Sequence, residues 1–295
     1  MDFLQQPKTL RNRIDLDKIN YNYYSNINRG TSSFTENFII FEDGTQALIK
    51  KPLSAVPVFS GVYPSGKLKI QHDEYNPLLA KEIANVAGIP CAEYYLAHEN
   101  NSNYILTPSF LKDGDELILG CDLTDKDELD MDIILKNVRR SLTLRKFNSK
   151  EIDAIINALV KQCFVSKFIG NVDELSRNFG IILNNRHVRL APFFDLDYTF
   201  NIRDDLEQSR TIDNDPSLRK YIEHFKDFPG FITFVRNFIN NLDVNKLFES
   251  VQNSTGIVVE DSLKNFYTTY INDNISIVKQ TLRDIDIGVH EIEWN

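Results

Sequence analysis

Basic charge is what this sequence is short of: 33 Lys and Arg stand against 42 Asp and Glu, a formal net charge of −9 with a pI near 5.1. Holding a phosphate backbone takes clustered cations, so direct DNA or RNA binding through the chain's own field is not expected. Cysteine is scarce too. Cys91, Cys121 and Cys163 are widely spaced and form no C-x-x-C pair, which signals neither a zinc site nor a disulfide framework. They read as reduced, mostly buried thiols. His72, His98, His187, His224 and His290 are scattered singly, without the spacing of a metal site or a triad. Nowhere do 18 apolar residues run consecutively, and MDFLQQPKTLRNRIDL has no long apolar run after its basic residues. No membrane span and a soluble, cytoplasmic protein are the expectation. There is no fixed-period repeat, and FSGVYPSGK (59–67) lacks the G-x-x-x-x-G-K-[ST] spacing of a phosphate loop, so it reads as a surface loop.

What is present is an ordinary globular composition, 42% apolar and 25% charged over 295 residues, enough for one large domain or two moderate lobes. The first third reads as strands. NFIIFE (37–42) and TQALIK (45–50) flank Asp43-Gly44, which predicts a two-residue turn with positive φ. The polar stretch from Asn20 to Ser33 reads as a loop or a solvated helix start. LLAKEIANVAG carries apolar residues at helical spacing and ends at Gly88 and Pro90. AEYYLAH and NYILTPSF then read as strands around the polar turn ENNSN. From about Gly114 the pattern changes. Amphipathic helices are expected over 127–144 and 150–168, with Thr124 and Ser149 as N-caps and no full capping box, and helices again dominate from Pro216 to Ile285. Between them lies one hairpin, FGIIL (179–183) and HVRLA (187–191), turned at 184–186. The Phe residues of the C-terminal helices read as core. The expected class is α+β: a β-rich N-lobe over 1–110 joined to a helical C-lobe over 111–295.

The chemistry is carried by GNVDELSRNFG (170–180) and APFFDLDYTF (191–200). Asp173 and Asn178 have the D-x-x-x-x-N spacing of a kinase catalytic loop. Asn178 immediately precedes the strand FGIIL; the hairpin returns the chain beside its own start, so Asp195 is delivered next to Asn178. A carboxylate to receive a hydroxyl proton and two oxygen ligands for magnesium are what phosphoryl transfer from ATP requires. The plainer alternatives are a loop-capping Asp173, a solvated Lys50 at a strand end and a structural Asp197.

Together these segments resemble the HipA-like serine/threonine kinase family, over roughly Phe38 to Phe200. The resemblance implies a two-lobed, protein-kinase-like fold that uses ATP and Mg²⁺. By position it makes Asp173 the catalytic aspartate and Asn178 and Asp195 the metal ligands. ALIKKP (47–52) resembles the strand that puts Lys50 on the ATP phosphates, and AGIPCAEYYL (87–96) the helix-to-strand junction. LTPSF would be the hinge, with the Pro108 carbonyl and the Phe110 amide facing the adenine edge. Three departures stand out: Leu175 where the family commonly has His, only RGTSSFTE (29–36) in place of a Gly-rich loop, and Pro77 where the helix acid would align. Gly30, Ser32 and Ser33 are the candidates for phosphate contact, and Glu74 or Glu82 for the partner of Lys50. A protein substrate with a Ser or Thr acceptor and a restraining antitoxin-type partner are implied. A small-molecule phosphotransferase on the same scaffold and an ATP-binding pseudokinase are the alternatives.

Overall fold

The computed structural model describes residues 13–24, 36–50, 75–124, 130–171, 178–185, 187–196, 199–200 and 216–292. A six-stranded sheet opens the chain, in spatial order β1-β5-β6-β4-β3-β2. It is built from β1 (Arg13–Asp15), β2 (Tyr21–Tyr24), β3 (Glu36–Phe41), β4 (Gln46–Lys50), β5 (Tyr95–Glu99) and β6 (Ser102–Pro108). One short crossover is parallel, β1 on β5; every other pairing is antiparallel. The sheet closes over its own small core of Ile14, Leu16, Ile39, Phe41, Ile49, Tyr95 and Leu106.

Two hairpins show how turn residues set geometry. Asn100 and Asn101 both take positive φ (+48° and +61°) between the paired Glu99 and Ser102, the two-residue mirror-image turn that matches strand twist. At Asp43-Gly44 that turn was expected and does not form. Only Gly44 goes left-handed (φ +83°), donating to the Phe41 carbonyl, while Phe41 donates to Thr45. The Asp43 carboxylate instead accepts from the Thr45 N–H at 2.8 Å, which holds a longer loop with a bulge. The stretch after Asn20 also differs from expectation. Residues 21–24 form a strand on β3, because Tyr21 and Tyr23 alternate onto one face and stand edge-on at 5.6 Å.

Helix α1 (Asn76–Val86) lies between β4 and β5 in sequence. Gly88 (φ +66°) ends it by letting Gly88 and Ile89 donate back to Asn85 and Ala84. Its start is pinned from the far end of the chain, where the Tyr267 hydroxyl donates to Asn76 Oδ1 at 2.6 Å.

The remaining helices are α2 (Gly120–Leu123), α3 (Met131–Leu144), α4 (Ser149–Phe168), α5 (Pro216–Phe225), α6 (Phe231–Asn241), α7 (Val244–Thr255) and α8 (Asp261–Ile292). The expected caps shift. Thr124 ends α2 rather than starting a helix, and Asp130 caps α3 by accepting from Asp132 and Ile133. Asn148, not Ser149, caps α4, and a full capping box with Glu151 does form. α4 is the central helix: Phe164 is fully buried and meets Phe231, Phe234 and Phe238 edge-on at 5.7–6.0 Å. Burying each such ring is worth about 1.5–3 kcal/mol. The C-terminal Phe residues therefore serve the core, as expected. No helix among the described residues is long and apolar enough to cross a membrane.

A second sheet, β7-β8-β9, sits against these helices: β7 (Glu116–Leu119), β8 (Gly180–Asn184) and β9 (His187–Leu190). The hairpin β8–β9 was expected; β7 was not, because ELIL alone is too short to show a period. Asp115 locks the three strands. Its carboxylate, 3% exposed, accepts from the Lys112 N–H (2.9 Å), Asn184 Nδ2 (2.7 Å) and Arg189 (2.6 Å). These contacts, the Lys112 amide first, hold its pKa below the ordinary 3.8. A depressed carboxylate stabilises the fold above its unfolded pKa, and that contribution is lost as pH falls through the folded value. Denaturant titrations of wild type and Asp115→Asn should therefore diverge at pH 7 and converge below pH 3.8; parallel curves across that range would show the lock to be inert.

Candidate functional site

The candidate site grows from four chain segments that the fold brings to one place. Lys50 ends β4, opposite Ile105 of β6, with Ala47 opposite Pro108. From the other direction, β9 leaves its sheet at Ala191, which donates to the Gly180 carbonyl at 2.8 Å. Two residues on, at Phe193, the chain meets the α1–β5 junction. Phe193 donates to the Pro90 carbonyl (2.7 Å) and accepts from Ala92 (2.9 Å), while the Cys91 thiol lies 3.3 Å from the Phe193 oxygen. That short bridge between Cys91 and Phe193 ties the segment after β9 to the N-terminal sheet. Burial among these backbone groups pushes the Cys91 thiol up to about 12. It is a neutral packing group, not a nucleophile.

Held this way, the Asp195 carboxylate reaches Lys50 Nζ at 2.8 Å, an ion pair across 145 residues of sequence. Lys50 is 15% and Asp195 32% exposed in their side chains, so the pair is neither fully wet nor fully dry. Asp195 also takes φ +58°, a left-handed conformation that Asp tolerates better than most residues but that still costs about 1 kcal/mol or more. The buried neighbours fix it: Phe193 and Leu196 are at most 1% exposed.

Asn178 stands two residues before Gly180 and is 6% exposed. Both its Oδ1 and its Nδ2 are buried without a hydrogen-bond partner. An orphaned amide costs about 1–3 kcal/mol, so this one marks a place where a ligand belongs. The antiparallel register that sets Gly180 beside Ala191 carries Asn178 toward the Phe193–Asp195 side of the hairpin. Gly180 is closely packed: a Cβ there would push on the Leu117 side chain at 2.7 Å and stand 3.1 Å from the Ile118 carbonyl.

Of the residues expected at the hinge, Phe110 reaches this cluster. Phe110 packs on Phe194 with ring centroids 5.6 Å apart, so the strand-exit residues and the residue before Asp195 form one aromatic wall. Phe193, Phe194 and Pro90–Ala92 lie within the segments APFFDLDYTF and AGIPCAEYYL, but that these two segments meet was not expected from the sequence. Glu82 is turned elsewhere, accepting from Ser250 of α7 at 2.7 Å, which removes it as the carboxylate expected at Lys50. Asp173, Leu175, Asp197, Gly30, Ser32, Ser33 and Glu74 lie outside the described residues. On the side toward Asp173, α4 is closed by Gly170 in left-handed φ (+60°), with Gly170 and Asn171 donating back to Lys167 and Ser166.

An Asn amide oxygen and a carboxylate are hard ligands of the kind magnesium or manganese takes, one or two from protein and the rest from phosphate and water. Among the described residues no group of three or more His, Cys, Asp or Glu gathers as a self-sufficient metal site. The donor set fits a metal shared with a polyphosphate.

No protein-family model matches the sequence, and no curated protein matches it. Among solved structures, the Helicobacter pylori proinflammatory kinase CtkA matches at TM-score 0.62 and 14% identity, over 92% of this chain and 98% of that one. The fold is protein-kinase-like. HipA of Shewanella oneidensis, solved with HipB and operator DNA, matches at TM-score 0.46 and 11% identity, over 87% of this chain and 66% of that one. The Golgi casein kinase with Mn/ADP bound matches at 0.41 and 13%, over 85% and 71%. The kinase-like fold rests on the first of these. Within it, the ion pair of Lys50 and Asp195 joins the N-terminal sheet to the segment that follows the β8–β9 hairpin.

Proposed function

We propose that this protein is an ATP- and Mg²⁺-dependent phosphotransferase, a HipA-like protein serine/threonine kinase, with a nucleotide-binding lobe over 1–110 and a helical lobe over 111–295. The observation that carries the reading is the 2.8 Å pair of Lys50 and Asp195, supported by the unsatisfied carboxamide of Asn178, which the hairpin register carries toward it. In this reading Lys50 holds the ATP phosphates, and Asn178 Oδ1 and the Asp195 carboxylate hold the metal. Bound Mg²⁺ supplies neutralisation of charge on the phosphates. Pro108 and Phe110 meet the adenine edge, and Gly30 and Ser32 contribute phosphate contacts. Asp173 receives the proton of the acceptor Ser or Thr hydroxyl as the γ-phosphoryl group moves to it. The HipA-like sequence pattern extends the proposal to a toxin-type kinase in the cytoplasm that modifies a cellular protein and is restrained by an antitoxin-type partner.

The test is transfer from γ-labelled ATP with magnesium, alone and with a cell extract, comparing wild type with Asp195→Asn. Label should enter this chain or one extract protein and fall by about 10²-fold or more in the variant. Magnesium-dependent nucleotide binding with no transfer by wild type would instead leave a pseudokinase, and transfer that survives in Asp195→Asn would overturn the metal assignment.

A further inference from the structure

The strongest charge asymmetry in the described residues lies far from that site, on the corner where α3 turns into α4. Between Ile133 and Lys150 there are six cations, Lys136, Arg139, Arg140, Arg145, Lys146 and Lys150, and no Asp or Glu, in a chain whose net charge is −9. All six are solvent-exposed. Arg139 is paired with Asp153 at 2.8 Å; the other five have no ion-pair partner among the described residues.

A solvated helix end would account for the charge alone, since cations favour a helix C-terminus. Two further observations go beyond that. Leu144 is 73% and Ile133 42% exposed, so two of the six large apolar side chains that stand exposed among the described residues are on this helix. Lys136, Arg140 and Leu144 follow one another at four-residue spacing, a single stripe of charge leading to an apolar tip. The turn that ends α3 is also unusual. Lys146 and Phe147 donate back to Thr143 and Leu142, the same closing pattern used at Gly88 and Gly170, but the left-handed position is filled by Lys146 at φ +66°. Glycine is the unstrained residue there, and it is what α1, α4 and α7 use. A lysine held at a strained position points to a use for its charge.

We infer that this corner is a docking surface for a protein segment that carries Asp and Glu around an apolar anchor. The cations are complementary to such a segment, and Leu144 supplies the apolar contact that a purely ionic surface would lack. A nucleic acid backbone has no use for an apolar tip beside the cations, and so few exposed apolar side chains offer little area to seat a helix in an anionic membrane. Because α4 has 20 residues and rises 1.5 Å for each, the corner lies about 30 Å along that helix from the turn at Gly170. A partner seated here leaves the candidate site open, so the surface is distinct from it.

The probe is a fluorescent twelve-residue peptide of eight Glu or Asp with two central Leu, followed by anisotropy against wild type, Arg140→Glu/Lys146→Glu, Leu144→Ser and Lys146→Gly. Wild type should bind it with an affinity that falls as salt rises. The charge reversal should weaken binding roughly tenfold or more, and Leu144→Ser by a few-fold. Lys146→Gly separates the docking role from folding: it should raise the thermal midpoint while weakening the peptide. No binding by wild type, equal binding by the charge-reversed variant, or tighter binding of a dT12 oligonucleotide or phosphatidylserine vesicles would each overturn the inference.

Discussion

Asp173→Asn is expected to lower γ-phosphoryl transfer by about 10²–10⁴-fold, the range a positioned general base supplies, while nucleotide affinity stays within a few-fold of wild type. The split follows from the proposed division of labour. Lys50, Asn178 and Asp195 would hold the nucleotide and its metal, and none of them is altered; Asp173 would touch only the acceptor hydroxyl. Parallel measurement of transfer from labelled ATP and of nucleotide binding by equilibrium titration checks both halves. Unchanged transfer would remove Asp173 from the mechanism, whereas loss of binding with transfer would place it among the nucleotide's ligands.

Gly170→Ala is expected to have the largest effect on the fold among single methyl additions near the site. Gly170 sits at φ +60°, and a Cβ there would come within 2.1 Å of the Tyr270 hydroxyl oxygen. Tyr270 is 5% exposed and stands edge-on to Phe200 at 5.6 Å, and Phe200 in turn donates its N–H to the Ile169 carbonyl at 2.8 Å. The intruding methyl therefore presses on Tyr270 and, through it, on Phe200 and the end of α4. Left-handed strain and overpacking together should cost about 2–4 kcal/mol. A fall of several degrees in the thermal midpoint, with transfer falling alongside it, is the expected result; an unchanged midpoint would mean that Tyr270 moves aside freely and that this turn does not hold the loop before Asp173.

Asp173 was named from spacing alone: a carboxylate five residues before Asn178, with Asn178 directly before an apolar strand. The importance of Gly170 beyond ending a helix was not legible, because Tyr270 approaches it from 100 residues away. The same contrast runs through the site. Lys50 and Asp195 could each be named from their local sequence, yet that they meet at 2.8 Å is a property of two sheets and a helix junction acting together. Asn178 could be named as well, but the absence of any partner for its carboxamide is visible only in three dimensions. Glu82 shows the converse. Its place on α1 made it a candidate for Lys50, and the packing of α7 turned it to Ser250.

By itself the sequence determined the order of strands and helices through the main periodic segments, the turn at Asn100-Asn101 and the helix end at Gly88. These depend on side-chain size, backbone freedom and hydrophobic period, all of which act within a few residues. Tertiary structure alone decided the rest. Pairing of β1 with β5, capture of β7 by β8, the docking of Phe193 on Pro90 and Ala92 and the closing of Lys50 onto Asp195 all join segments distant in the chain. Strands as short as Arg13–Asp15 and Glu116–Leu119 carry too few residues to declare themselves. They exist because a neighbouring edge offers hydrogen bonds and a core accepts their apolar side chains, and neither is written within three or four residues of sequence.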